Sequence, residues 1–121
     1  MLEVRNLSVQ YGAIRAVRDV SLSIRKGEVV SLLGANGAGK TSLVSACVGT
    51  IPKSGGAVTF DGSDITRLPA EAIVRRSMTL SPEGRRVFAD LSVRENLLLG
   101  AATRRDRVEV AKDIETYFSM F

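Results

Sequence analysis

Eight consecutive residues carry the clearest chemistry in this chain. Gly34-Ala35-Asn36-Gly37-Ala38-Gly39-Lys40-Thr41 matches the spacing G-x-x-x-x-G-K-[ST] in full. Glycines at this spacing let the backbone wrap around an anion and turn its N–H groups inward. A helix starting at the end of the loop adds the positive end of its dipole. Gly34, Asn36, Gly37, Ala38 and Gly39 then supply the cradle. Lys40 is expected to reach the β- and γ-phosphates of a nucleoside triphosphate, and Thr41 to set its hydroxyl on Mg²⁺. Ser42 is expected to donate to the α-phosphate. The loop predicts triphosphate binding and does not by itself say what the triphosphate is used for.

The elements around the loop agree with it. Val29, Val30, Leu32 and Leu33 form a near-continuous apolar run. That pattern suits a strand covered on both faces, as in a parallel α/β sheet, and predicts a strand over 28–33. Leu43, Val44, Ala46, Cys47 and Val48 form a helical stripe over 41–48, stopped by Gly49 with Pro52 beyond it. Upstream, residues 2–9 read as a strand broken at Tyr11-Gly12. Residues 17–24 read as a half-buried strand with Val20, Leu22 and Ile24 on the apolar face. Lys26-Gly27 is a turn, so the start is antiparallel. A short strand over 57–60 ends at Asp61-Gly62, and a helix over 69–76 opens with Pro69 at its first position. Residues 77–80 fit a short buried strand. Ser92 and Glu95 form a capping box for a helix over 92–99, and a second helix covers 104–118.

Composition narrows the chemistry. The chain has 121 residues, 17 Lys+Arg, 13 Asp+Glu, one Cys and no His. Its length suits one domain or part of one, at roughly 100–200 residues per domain. Cys47 alone excludes an internal disulfide and a Cys-based metal cluster, and it fits a reducing compartment. The absence of His rules out a Ser-His-Asp hydrolase. No apolar run reaches the roughly 18–20 residues of a membrane span, so a membrane role would come through a partner. The net charge of +4 permits weak attraction to phosphates, and a solvated surface is the simpler reading of it. Arg104, Arg105 and Arg107 read as a solvated helix face.

Beyond the loop, the chain resembles the nucleotide-binding domain of ABC transporters over most of its length. The resemblance rests on Tyr11-Gly12, on Gly34 to Thr41, on Ser54-Gly55-Gly56 before Phe60-Asp61-Gly62, and on Asp64-Ile65-Thr66. Pro82-Glu83-Gly84-Arg85-Arg86-Val87-Phe88, followed by Leu91 to Leu97, is similar to the ATP-binding subunits of branched-chain amino-acid importers. The resemblance implies a P-loop NTPase of ABC type. Its α/β fold has an antiparallel β start, a parallel core sheet with helices, and the beginning of a helical subdomain. Residues 1–88 would be the ATP-binding core and 89–121 the start of the helical subdomain. It also implies that Tyr11 stacks on adenine and that Glu83 stands at the Q-loop position near Mg²⁺. Most relatives have Gln there; Glu keeps an oxygen for the metal and adds a negative charge. Arg85, Arg86 and Phe88 would face a membrane subunit.

The implied function is ATP binding and hydrolysis coupled to branched-chain amino-acid import, with ATP and Mg²⁺ as cofactors. The implied partners are membrane permease subunits and a second ATP-binding subunit, on the cytoplasmic face of the inner membrane. Neither nucleic acid nor direct contact with the transported substrate is expected. The family's Leu-Ser-Gly-Gly signature, its Asp-Glu strand end and its switch His do not occur in this sequence. The expectation is therefore a truncated domain that is inactive alone. A non-catalytic nucleotide-binding fragment, a pseudogene product and a urea or amide importer subunit remain alternatives. A small GTPase is disfavoured, because no Asn-Lys-x-Asp motif occurs.

Overall fold

The computed structural model describes residues 1–84 and 86–121, which fall into two compact units, Met1–Leu80 and Ser81–Phe121. In the first unit, β1 (Leu2–Tyr11) and β2 (Ile14–Ile24) form an antiparallel hairpin. After helix α1 (Lys40–Cys47), strand β3 (Gly55–Phe60) pairs antiparallel with the other edge of β1. The short β4 (Ser63–Asp64) closes the sheet in the order β2-β1-β3-β4, and α2 (Ala70–Val74) follows.

The core lies where α1 packs on the hairpin. Val4, Leu7 and Val9 of β1 are buried with Val17, Val58, Leu43, Ala46 and Ile73. Strict alternation would put Val4 and Leu7 on opposite faces, since their spacing is odd. A bulge resolves the conflict. The β1–β2 register shifts between Val4 and Leu7, and Asn6 takes φ +50. Asn and Asp tolerate this left-handed region better than other side chains. Asp19 opposite does the same at φ +51, and Asn6 Nδ2 donates to Asp19 Oδ1 at 2.7 Å. The paired irregularities also carry Val17 onto the core face, whereas strict period-two alternation places it opposite Val20, Leu22 and Ile24. Cys47 is buried in this core, which pushes its thiol pKa up and keeps it protonated.

The α/β class and the antiparallel start are both present. The parallel core strands are not formed among the described residues. Residues 28–33 carry no strand, and Val29 and Leu33 are 94% and 89% exposed. A doubly covered strand needs hydrogen-bonded neighbours on its edges and helices on its faces. No described segment pairs with this one. The expected strand over 77–80 is absent for the same reason, and Pro69 caps α2 from outside, in extended conformation, rather than opening it.

The second unit holds α3 (Val93–Gly100) and α4 (Arg107–Met120). The capping box forms as expected: Glu95 N donates to Ser92 Oγ, and Ser92 N donates to Glu95 Oε2 at 2.8 Å. The Ser92 hydroxyl and amide hold the Glu95 carboxyl below its ordinary pKa. A depressed carboxylate contributes stability above its unfolded pKa of about 4.3 and loses it as pH falls through the folded value. Acidification is therefore expected to fray α3, and Glu95→Gln to flatten that dependence, read from helical circular dichroism against pH. Arg104 is tied to Asp106 and Asp113 at 2.7 and 2.6 Å, so it is not merely solvated.

Candidate functional site

The phosphate loop is assembled by the hairpin and by α1. The register between β1 and β2 skips from Val9↔Val17 to Gln10↔Arg15, which leaves Ala16 out of the pairing. Gly39, the residue before α1, is pressed against that point. A Cβ on Gly39 would lie 2.1 Å from the Ala16 carbonyl oxygen and 3.4 Å from Val17 Cγ2, and Gly39 has φ +88. Only glycine satisfies both the contact and the left-handed backbone.

The loop is curled. Ala38 N donates to the Ala35 carbonyl at 3.1 Å, with Asn36 and Gly37 at the tip of this turn. Lys40 Nζ reaches back over the loop and donates to the carbonyls of Gly34 and Ala35, each at 2.7 Å. No side chain caps the start of α1, and its first turn holds no acid. The leading N–H groups and the helix dipole are thus left for an anion. An open cavity of about 400 Å³ borders Ala38, Gly39 and Lys40, with Arg15, Arg18 and Leu33 on its other walls.

Tyr11 ends β1, about half-exposed, with its hydroxyl 3.4 Å from Ser42 Oγ, at the outer limit of hydrogen bonding. The structure thus gathers Tyr11, Ser42, Lys40 and the loop glycines in one unit. Thr41 is exposed on the first turn of α1. Glu83 is exposed and belongs to the second unit, Ser81–Phe121. Arg85 lies outside the described residues. Among the described residues no group of three or more His, Cys, Asp or Glu could hold a metal. A hydroxyl such as Thr41 together with phosphate oxygens is the donor set that suits Mg²⁺, which is commonly bound by few protein ligands and the substrate's phosphates.

In the second unit Asn96 fixes residues 88–92. Its Oδ1 accepts from Phe88 N at 2.9 Å, and its Nδ2 donates to the carbonyls of Phe88, Leu91 and Ser92 at 3.0–3.2 Å. Phe88 is left 64% exposed beside an apolar cleft of about 650 Å³ that includes Val87, Leu91, Val93 and Leu97.

Sequence reading missed the part played by Ala16 and the cations bordering the cavity. A backbone carbonyl leaves no mark in residue type; the one available signal was an invariant need for glycine in the motif at position 39. Arg18 alternates in phase with the apolar Val20, Leu22 and Ile24, and Arg15 precedes the strand expected over 17–24, so neither stands out as a cation beside the loop.

The family model described as "ABC transporter" matches residues 17–120. The chain is 42% identical over 114 residues to the high-affinity branched-chain amino acid transport ATP-binding protein BraG of Pseudomonas aeruginosa, covering 93% of this chain and 49% of BraG. It is 40% identical over 114 residues to the lipopolysaccharide export system ATP-binding protein LptB of Escherichia coli K12, covering 88% of this chain and 47% of LptB. The chain thus spans about half the length of these curated relatives. A solved ATP-binding cassette, a dimer in a post-hydrolysis state bound to ADP and Pi, superposes with a TM-score of 0.74. It is 21% identical and is covered over 88% of this chain and 49% of its own length, so it supports the fold alone.

Proposed function

This chain belongs to the ABC transporter family, and we propose that it is the ATP-binding part of a transporter subunit that couples ATP binding and hydrolysis to branched-chain amino-acid import. One observation carries the nucleotide reading: a complete phosphate loop ends in a helix start that no side chain caps and no acid neutralises. In this reading the loop N–H groups from Gly34 to Gly39 and the first turn of α1 hold the phosphates. Lys40 exchanges its two loop carbonyls for β- and γ-phosphate oxygens, Ser42 donates to the α-phosphate, and Tyr11 offers its free ring face to adenine. Thr41 would help hold Mg²⁺, which would supply neutralisation of phosphate charge when bound.

The transport reading rests on the likeness to BraG and on the Pro82 to Phe88 stretch. Its partners would be membrane permease subunits, facing Arg86 and Phe88, and a second ATP-binding subunit. No helix among the described residues is long and apolar enough to cross a membrane, which is compatible with a peripheral place on the cytoplasmic face. The likeness to LptB favours a second reading, export of a lipopolysaccharide, with the same nucleotide chemistry.

The test is nucleotide binding and single-turnover hydrolysis on the purified chain with Mg²⁺. Affinity is expected to fall from ATP to ADP to adenosine. Tyr11→Ala should weaken ATP about tenfold, the worth of one aromatic stack, while Tyr11→Phe keeps it. Equal losses in the two variants would mean that the hydroxyl near Ser42, not the ring, is what matters. Binding without hydrolysis would support a binding part of a larger ATPase. Absence of ATP binding would overturn the nucleotide reading.

A further inference from the structure

We infer that Asn36 is a modification site: its spontaneous deamidation, at the tip of the phosphate loop, disables nucleotide binding. The consequence rests on the nucleotide reading above; the chemistry does not. The chain has three asparagines, Asn6, Asn36 and Asn96. Asn6 and Asn96 each precede a leucine. All asparagine side-chain hydrogen bonds among the described residues belong to these two: Asn6 to Asp19, and Asn96 to Phe88, Leu91 and Ser92. Asn36 is exposed and precedes Gly37, also exposed. A Cβ on Gly37 would meet nothing within 4 Å beyond its chain neighbours, so the residue is uncrowded on that side. Glycine is also the residue that lets the backbone reach the conformations an intramolecular attack requires. Asparagine is a thermolabile residue, and its lability depends on such local freedom.

The reaction balances with water alone. The Gly37 backbone nitrogen gives its proton to hydroxide and attacks Asn36 Cγ. A new C–N bond closes a five-membered imide, and the Cγ–NH₂ bond breaks as the leaving nitrogen takes a proton from water, departing as ammonia and restoring the hydroxide. Water then opens the ring at either carbonyl, leaving an aspartyl or an isoaspartyl residue at position 36. Both products place a carboxylate in the cradle, facing a polyanion. The isoaspartyl form also adds a methylene to the backbone whose N–H groups must converge on phosphate. Bound ATP would hold the loop and slow the attack.

The experiment ages the full chain at mildly alkaline pH, with and without Mg²⁺ and ATP, and maps conversion at each asparagine by peptide mass and isoaspartyl content. Asn36 is expected to convert about tenfold or more faster than Asn6 or Asn96. ATP should protect it, and ATP affinity should fall in step with conversion. Asn36→Ala should abolish the mass change at this position, and Asn36→Asp should reproduce an affinity loss of about tenfold without ageing. Equal slow conversion at all three sites would overturn the inference. Fast conversion with unchanged ATP affinity, in both the aged chain and Asn36→Asp, would overturn the disabling effect. A fresh chain that converts at Asn36 yet never binds ATP would support the modification site and overturn the nucleotide reading instead.

Discussion

Lys40→Ala is expected to weaken ATP binding by about 100-fold or more. The ammonium donates two hydrogen bonds to loop carbonyls in the free chain. Both would be exchanged for bonds to phosphate oxygens, where donor and acceptor are charged. Charge-assisted bonds are worth about 1.5–3 kcal/mol each, and about 1.4 kcal/mol is tenfold in affinity. The released carbonyls of Gly34 and Ala35 lie in an exposed loop, so water takes the place of the ammonium. Folding stability should therefore change by less than about 1 kcal/mol. Titration with a fluorescent ATP analogue, beside a denaturant curve for each protein, separates the two effects. An unchanged affinity would sink the assignment of Lys40. A large loss of stability would recast it as a structural residue that closes the loop.

Gly39→Ala should damage both folding and binding. Its Cβ would stand 2.1 Å from the Ala16 carbonyl oxygen, a rigid backbone atom, and φ +88 is unfavourable for any side chain. Strain of this backbone type costs about 1–3 kcal/mol, and the overlap adds to it by forcing the loop away from β2. Gly37→Ala is the control. Gly37 has φ +83, but a Cβ there meets nothing within 4 Å, so only the backbone strain, about 1 kcal/mol, applies. Denaturant midpoints should therefore fall further for Gly39→Ala than for Gly37→Ala. Equal midpoints would mean that the loop does not press on Ala16 in solution.

The Gly34–Gly39 turn ahead of α1 and the Ser92–Glu95 cap were legible in the sequence because both depend on residues within one short stretch. Their donors, acceptors and special backbone conformations are encoded where they are used. The hairpin was legible for a similar reason, through alternation and turn residues. Its phase was not. Val17 reached the core only through the left-handed Asn6 and Asp19, and a single such residue reverses every inference drawn from parity beyond it. Residues 28–33 failed in the opposite sense. Their apolar run states what they would bury, while a parallel strand exists only if other segments pair with it. The contact of Ala16 with Gly39 was out of reach because it runs through a carbonyl that every residue type possesses.

The Asn96 cluster bears on the order of events during folding. Phe88, Leu91, Ser92 and Asn96 complete their hydrogen bonds across separations of four to eight residues. Loops this short close in tens of nanoseconds, and a capped helix of this length follows within about a microsecond. The sheet of the first unit must instead bring Leu2 beside Phe60 before β1 and β3 can pair. That long closure costs more entropy before any contact repays it. In a chain diluted from denaturant, the Phe88–Gly100 turn and helix reach their final shape while β1 still waits for β3.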